Sequence, residues 1–158
     1  TKNPGSARAA YGHGEALRLA RRFAEAAPVY ERAAALDPAD PHPRVNLGIV
    51  RAETGDAVGA REAWAAVLAM DPRHCAAHNN LGTLAFNAGA FEEATAAYTS
   101  SLGWCPDDPI AHLNLANLAY LRADTRAAAF HYRAYLRVAE DGPAAPLARE
   151  RLRRMGLE

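Results

Sequence analysis

The sequence predicts an all-α protein assembled from tandem helix-turn-helix units, and three observations carry that reading. Leu36-Asp37-Pro38, Met70-Asp71-Pro72 and Trp104-Cys105-Pro106 place a helix-ending segment and a proline every 34 residues. Other positions keep the same register: Gly14, Gly48, Gly82 and Ala116; Leu47, Leu81 and Leu115 before the last three of these; Ala26, Ala60, Ala94 and Ala128; and Tyr30, Trp64, Tyr98 and Tyr132. Between the prolines, apolar residues recur at helical spacing in two stripes per unit. No unit of this size can bury its stripes alone, so neighbours must stack to make a core.

In the first unit Gly14 belongs to the first helix, and Ala26 and Tyr30 to the second. Pro28 falls inside that second helix, early enough that the loss of one backbone bond predicts a mild bend and no break. The second unit carries Gly48 and Trp64, with Gly55 between its halves, where a glycine suits a left-handed helix end. In the third, Leu81, Leu84, Ala85 and Ala88 make one stripe. Asn87-Ala88-Gly89-Ala90 makes the turn, and Phe91, Ala94, Ala97, Tyr98 and Leu102 make the second stripe. Pro72 and Pro106 stop one helix at little expense to the next. Gly82 and Ala94 are expected where paired helices cross, with the Tyr98 column filling the gap to the neighbouring unit. The fourth unit substitutes Ala116 for glycine and Glu140 for the closing proline. Residues 144–157 read as a capping helix, with Leu147, Leu152 and Met155 inward and Arg149, Arg151, Arg153 and Arg154 in water.

The chain has 158 residues, half of them hydrophobic and about half of those alanine, with 18 basic and 18 acidic side chains. A pI near 7.0 argues against a nucleic-acid groove, which needs clustered positive charge. No stretch approaches the roughly 18 apolar residues of a membrane span, and the composition is not that of a disordered chain. Lys2 is the only lysine and glutamine is missing, a bias of GC-rich, bacterial genomes. The start at Thr1 suggests an excerpted or processed chain, so the address, cytoplasm or periplasm, is not legible.

A 34-residue helix-turn-helix with a Leu-Gly pair, an aromatic, alanines and a closing proline resembles the tetratricopeptide repeat family. The resemblance covers 7–40, 41–74, 75–108 and 109–142, the second and third repeats matching best; the first places His13 where leucine is usual. It implies a right-handed superhelical solenoid whose first helices line a concave groove that binds other proteins. Family offsets that face such a groove put Tyr11 and Arg18, Asn46, Asn79, Asn80, Phe86 and Asn87, and Asn114, Asn117 and Tyr120 there. Asn46, Asn80 and Asn114 are again 34 apart. An asparagine mimics a peptide bond, with an acceptor oxygen and two N–H donors. A ladder of them could pair with the main chain of an extended peptide, as the ladder of O-linked N-acetylglucosamine transferases implies; the bland alternative is bonding between helices. Phe86 and Tyr120 read either as anchors beside polar donors or as inter-repeat packing. The family's basic carboxylate clamp is missing: Tyr11, Val45, Asn79 and Leu113 stand at its central offset, so chaperone tails are not the expected ligand.

Sharper chemistry finds less support. His74 and His78 are spaced i, i+4, but no acidic third ligand is near, so no metal is expected. His78 and His112 share an offset and read as interfacial packing, and Cys75 and Cys105 as two unrelated thiols. Ser6, Ser100 and Ser101 sit in no nucleophile elbow, and no glycine-rich phosphate loop is present. The Glu92-Glu93 pair suits a helix start. The expectation is a non-enzymatic protein-interaction scaffold without cofactor, binding a peptide segment or helix in its groove. Its rivals are a self-assembling module and a targeting arm of a larger multidomain enzyme.

Overall fold

The computed structural model describes residues 4–157. Among them are nine helices and no strand, an all-α repeat fold: α1 (Pro4–Leu19), α2 (Phe23–Leu36), α3 (His42–Glu53), α4 (Ala57–Met70), α5 (Cys75–Asn87), α6 (Phe91–Trp104), α7 (Pro109–Leu121), α8 (Thr125–Val138) and α9 (Ala145–Arg154). The chain divides into two compact units, residues 1–80 and 81–158.

In the first unit α1 packs on α2, α2 on α3 and α3 on α4. Its core gathers Leu17, Ala26, Tyr30, Leu47, Val50 and Ala63. In the second unit α6 packs on α7, α7 on α8 and α8 on α9. One cluster there joins Ala85, Ala94, Tyr98, Leu115 and Leu118. Another joins Ala116, Ala128, Ala129, Tyr132 and Tyr135 to Ala145, Ala148 and Leu152 of α9.

The small columns sit against the aromatic one, and within the same repeat. A Cβ on Gly14 would meet the Tyr30 ring at 2.7 Å, on Gly48 the Trp64 indole at 2.3 Å, and on Gly82 the Tyr98 ring at 2.6 Å. The aromatic column therefore fills the space its own repeat's glycine leaves open. It also meets the next repeat, as expected: Tyr30 clusters with Leu47 and Val50, and Tyr98 with Leu115 and Leu118. Each aromatic also carries a polar tip back to its own first helix. Tyr30 donates to Glu15, Trp64 Nε1 to the Val45 carbonyl at 3.0 Å, and Tyr132 to Asn117 Oδ1 at 2.8 Å, while Tyr98 and Thr83 share a bond of 3.1 Å. A buried tyrosine or tryptophan needs such a partner.

The turns repeat too. Gly55 and Gly89 have φ of +85° and +75°, and at the same place in the outer repeats Arg21 and Ala123 adopt φ of 57° and 58°. The helix that follows is capped by Asp56 on Gly59 N and by Asp124 on Ala127 N, but Arg22 and Ala90 make no such bond. Pro28 is exposed inside an uninterrupted α2. The loops that lead to α3, α5 and α7 share a clamp that the spacing did not suggest. Arg44, His78 and His112 donate to the carbonyls of Pro38, Pro72 and Pro106 at 2.8, 2.9 and 2.9 Å, each reaching back six residues.

In α9, Ala145, Ala148 and Leu152 face the core, with Met155 packed beside them. Leu147, expected inward, is 39% exposed, and Arg151, expected in water, is half-buried. Arg149 donates to the Glu140 carbonyl at 2.9 Å.

Candidate functional site

On the α1 and α3 side of the first unit the polar residues converge on one carboxylate. Glu15 accepts two bonds from Arg18, at 3.1 and 3.0 Å, one from Tyr30, and one from Asn46 Nδ2 at 2.7 Å. Asn46 Nδ2 also donates to the Tyr11 hydroxyl at 3.1 Å. Tyr11 tilts against the Tyr30 ring, with centroids 6.0 Å apart, and meets the edge of His42 at 6.4 Å. The Arg18 guanidinium, through its hydrogen bonds, holds the Glu15 carboxyl below the usual carboxylate range. Burial, and then the Glu15 charge, push the Tyr11 hydroxyl up. Both stay in one charge state at neutral pH, Glu15 ionised and Tyr11 neutral. The site residues Tyr11, Arg18 and Asn46 are thus brought together, through a Glu15 that was not among them. Asn46 spends its nitrogen inside this network, so its carbonyl oxygen is the group it has left to offer a ligand.

Asn79 is 4% exposed, its side chain inside the packing, and is dropped from the candidate surface. Asn80, the next residue of α5, is half-buried. Among the described residues its amide has no hydrogen-bond partner.

In the second unit Asn114 repeats the Asn80 situation on α7: half-buried, without a partner among the described residues. Asn117 and Tyr120 lie further along the helix, and here α9 intervenes. Arg151 Nη1 donates to Asn117 Oδ1 at 2.6 Å and to the Tyr132 hydroxyl, and its guanidinium stacks 4.6 Å from the centre of the Tyr120 ring. Cation and ring attract through the ring's quadrupole. Asn117 and Tyr120 are therefore half-occupied by the chain itself. Phe86 leans on Phe91, centroids 5.6 Å apart, at the edge of the core, and Asn87 is exposed.

The residues set aside as structural have identifiable tasks. His112 Nδ1 lies 3.1 Å from His131 Nδ1. With its Nε2 donating to the Pro106 carbonyl, His112 accepts at Nδ1 from His131 Nδ1. Burial, then the neighbouring His112, hold His131 down at about 4. Ser101 is buried and donates to Asp108 Oδ2 at 3.0 Å, beside the Asp108 cap on Ile110 N. Cys75 and Cys105 are both disulfide-bonded, neither a free thiol, which corrects the expectation of unrelated thiols. Among the described residues no cluster of three or more His, Cys, Asp or Glu is arranged for a metal ion, and no helix is long and apolar enough to cross a membrane.

Glu15 stands at a groove-facing family offset of the first repeat without having been singled out as a candidate, and Arg151 was expected in water. Glu15 had a signal, since it stands at the same offset as Thr83 and Asn117, where each meets the aromatic of its own repeat. Arg151 had none, because its place depends on how α9 turns back.

Comparison with known proteins adds the kinship. The family profile described as tetratricopeptide repeat matches residues 1–41 and 45–109. No curated protein matches. Among solved structures, MamA is 18% identical, with 96% of this chain and 84% of that one covered at a TM-score of 0.71. The pilF protein of Pseudomonas aeruginosa is 19% identical, covering 96% of this chain and 70% of that one at 0.83. The first tetratricopeptide domain of Spaghetti, bound to an HSP90 peptide, is 19% identical, covering 77% and 96% at 0.69. At these identities the likeness is one of fold.

Proposed function

Because the chain belongs to the tetratricopeptide-repeat family, we propose that it is a protein-interaction module whose first helices bind an extended segment or a helix of another protein. The observation that carries this reading is the pair Asn80 and Asn114. Both amides are half-buried on first helices, and neither has a partner among the described residues. A half-dehydrated amide gains most from a ligand that supplies both a donor and an acceptor, and a peptide main chain supplies both. Asn46 adds an acceptor held in one orientation by Tyr11 and Glu15. Pre-orientation of this kind lowers the entropy lost on binding. In the first unit Tyr11 and Arg18 would add selective contacts, and in the second Phe86, Asn87, Asn117 and Tyr120 would do so. The HSP90 peptide bound to Spaghetti is a precedent for peptide binding by a protein of this fold.

The test is affinity capture from a lysate of the source organism, with wild type beside an Asn80→Ala/Asn114→Ala variant of equal helicity by circular dichroism. The expected outcome is a set of proteins held by wild type and lost from the variant. Equal capture by both would remove the asparagines from the binding surface. Capture of further copies of the chain alone would replace the reading with self-association.

A further inference from the structure

We infer that the outward face of α8 is a second docking surface, which takes an acidic amphipathic helix of a partner protein. Arg126, Phe130, Arg133 and Arg137 follow one another at i, i+4, i+7 and i+11. On a helix these positions line up in one narrow stripe about 16 Å long. They border a shallow cleft of about 440 Å³, with Ala134 as its floor. The opposite face of α8 is committed to the core through Ala128, Ala129, Tyr132 and Tyr135, so the stripe is not needed to hold the helix in place.

Charge identifies the occupant. No residue of α8 is acidic, although the chain as a whole has as many acidic as basic side chains. Arg126 has no partner among the described residues. Arg133 spends one nitrogen on the Leu157 carbonyl. Arg137 meets Asp107 at 3.1 Å, but the two side chains are 66% and 73% exposed, and a pair so open to water exchanges partners readily. Phe130 is 64% exposed and rests edge-on against His131, centroids 5.0 Å apart. The complement is a helix with an acidic residue at i, an apolar one at i+3 or i+4, and further acidic residues at i+7 and i+11. Its carboxylates would take the guanidinium forks, and its apolar residue would cover the phenylalanine. A nucleic acid fits less well, since three cations on a chain of zero net charge are few for a phosphate backbone. One phenylalanine is also a small wedge for a bilayer. This surface is independent of the asparagines.

The test uses the whole chain and a labelled peptide of roughly 15 residues, alanine-based, with glutamate, leucine, glutamate and glutamate at the complementary spacing. Its glutamine counterpart is the control, and fluorescence anisotropy at about 50 and about 200 mM salt is the readout. The glutamate peptide should bind saturably, more weakly at the higher salt, and the glutamine peptide should not. R126A/R133A/R137A should weaken binding at least about tenfold, and F130A about fivefold. All four positions are exposed, and unchanged helicity would exclude unfolding as the cause. Binding that ignores the arginine substitutions would overturn the inference. So would an unaffected F130A, which would reduce the stripe to bulk charge, or binding to phosphatidylserine vesicles with none to the peptide.

Discussion

A methyl group added at Gly82 would stand 2.6 to 2.9 Å from three carbons of the Tyr98 ring, closer than real Cβ contacts come. The ring cannot swing away, because it is buried on all sides and its hydroxyl is shared with Thr83. Alanine is the better helix former by about 1 kcal/mol, and overpacking costs about 1–3 kcal/mol. Gly82→Ala should therefore destabilise by about 1 kcal/mol in urea titration; a stabilised variant would show that Tyr98 is not the constraint. The fourth repeat has made the same exchange naturally, with Ala116 buried beside Tyr132, so its helices have already adjusted. His131 yields a pH prediction of the same local kind. Its pKa falls from an ordinary 6.5 to about 4 in the folded chain, so folding favours the neutral ring. That contribution is complete above pH 6.5 and is lost progressively as pH falls toward 4. Urea midpoints at pH 7 and pH 5 should differ in wild type and differ less in His131→Phe.

Among the elements, the turns carry the next prediction. Positions 21, 55, 89 and 123 all adopt the left-handed conformation, but only two of them are glycine. A residue with a Cβ is strained there by about 1–2 kcal/mol, and glycine gives part of that back through its freedom in the unfolded chain. Ala123 is exposed, so its substitution by glycine removes little buried surface. Ala123→Gly should thus stabilise the α7–α8 pair by about 0.5–1 kcal/mol. One residue on, Asp124→Ala removes the cap on Ala127 N and should destabilise by about 1 kcal/mol. Thermal unfolding of the two single variants should move in opposite directions. Two shifts of the same sign would mean that the turn is not set by these two residues. Gly55 and Gly89 announced this turn in the sequence, since glycine is the residue that a left-handed end favours. Arg21 and Ala123 did not, because their conformation is imposed by the helices on either side. The proline-carbonyl clamp stayed hidden for a related reason: Arg44, His78 and His112 share a reach, but arginine stands in for histidine in one of them, and the histidine pair alone reads as packing.

For the molecule as a whole, what was legible depended on whether a property repeats. Helix pairs and the buried alanine and aromatic columns recur every 34 residues, so the chain states them several times over. Asn46 recurs as well, yet its partners do not: Glu15 and Tyr11 belong to one repeat, and the other two asparagines have no equivalent. Least legible was α9, which occurs once. The amphipathic pattern there allowed Leu147 or Ala148 to face inward. A small residue won, because α9 lies close enough over Ala128, Ala129 and Tyr132 to bury Ala145 and Ala148 completely or nearly so. This assigns the latch of α9 to Leu152, the one large aliphatic side chain of that helix that is buried. Leu152→Ala should cost about 2–4 kcal/mol, loosen Arg151 from Tyr120 and Asn117, and raise hydrogen exchange throughout α9. Leu147→Ala, at a position 39% exposed, should stay within about 0.5 kcal/mol of wild type. If the two variants exchange alike, α9 is held by its backbone and its arginines, and the face of α7 near Tyr120 owes its shape to them instead of to the core beneath.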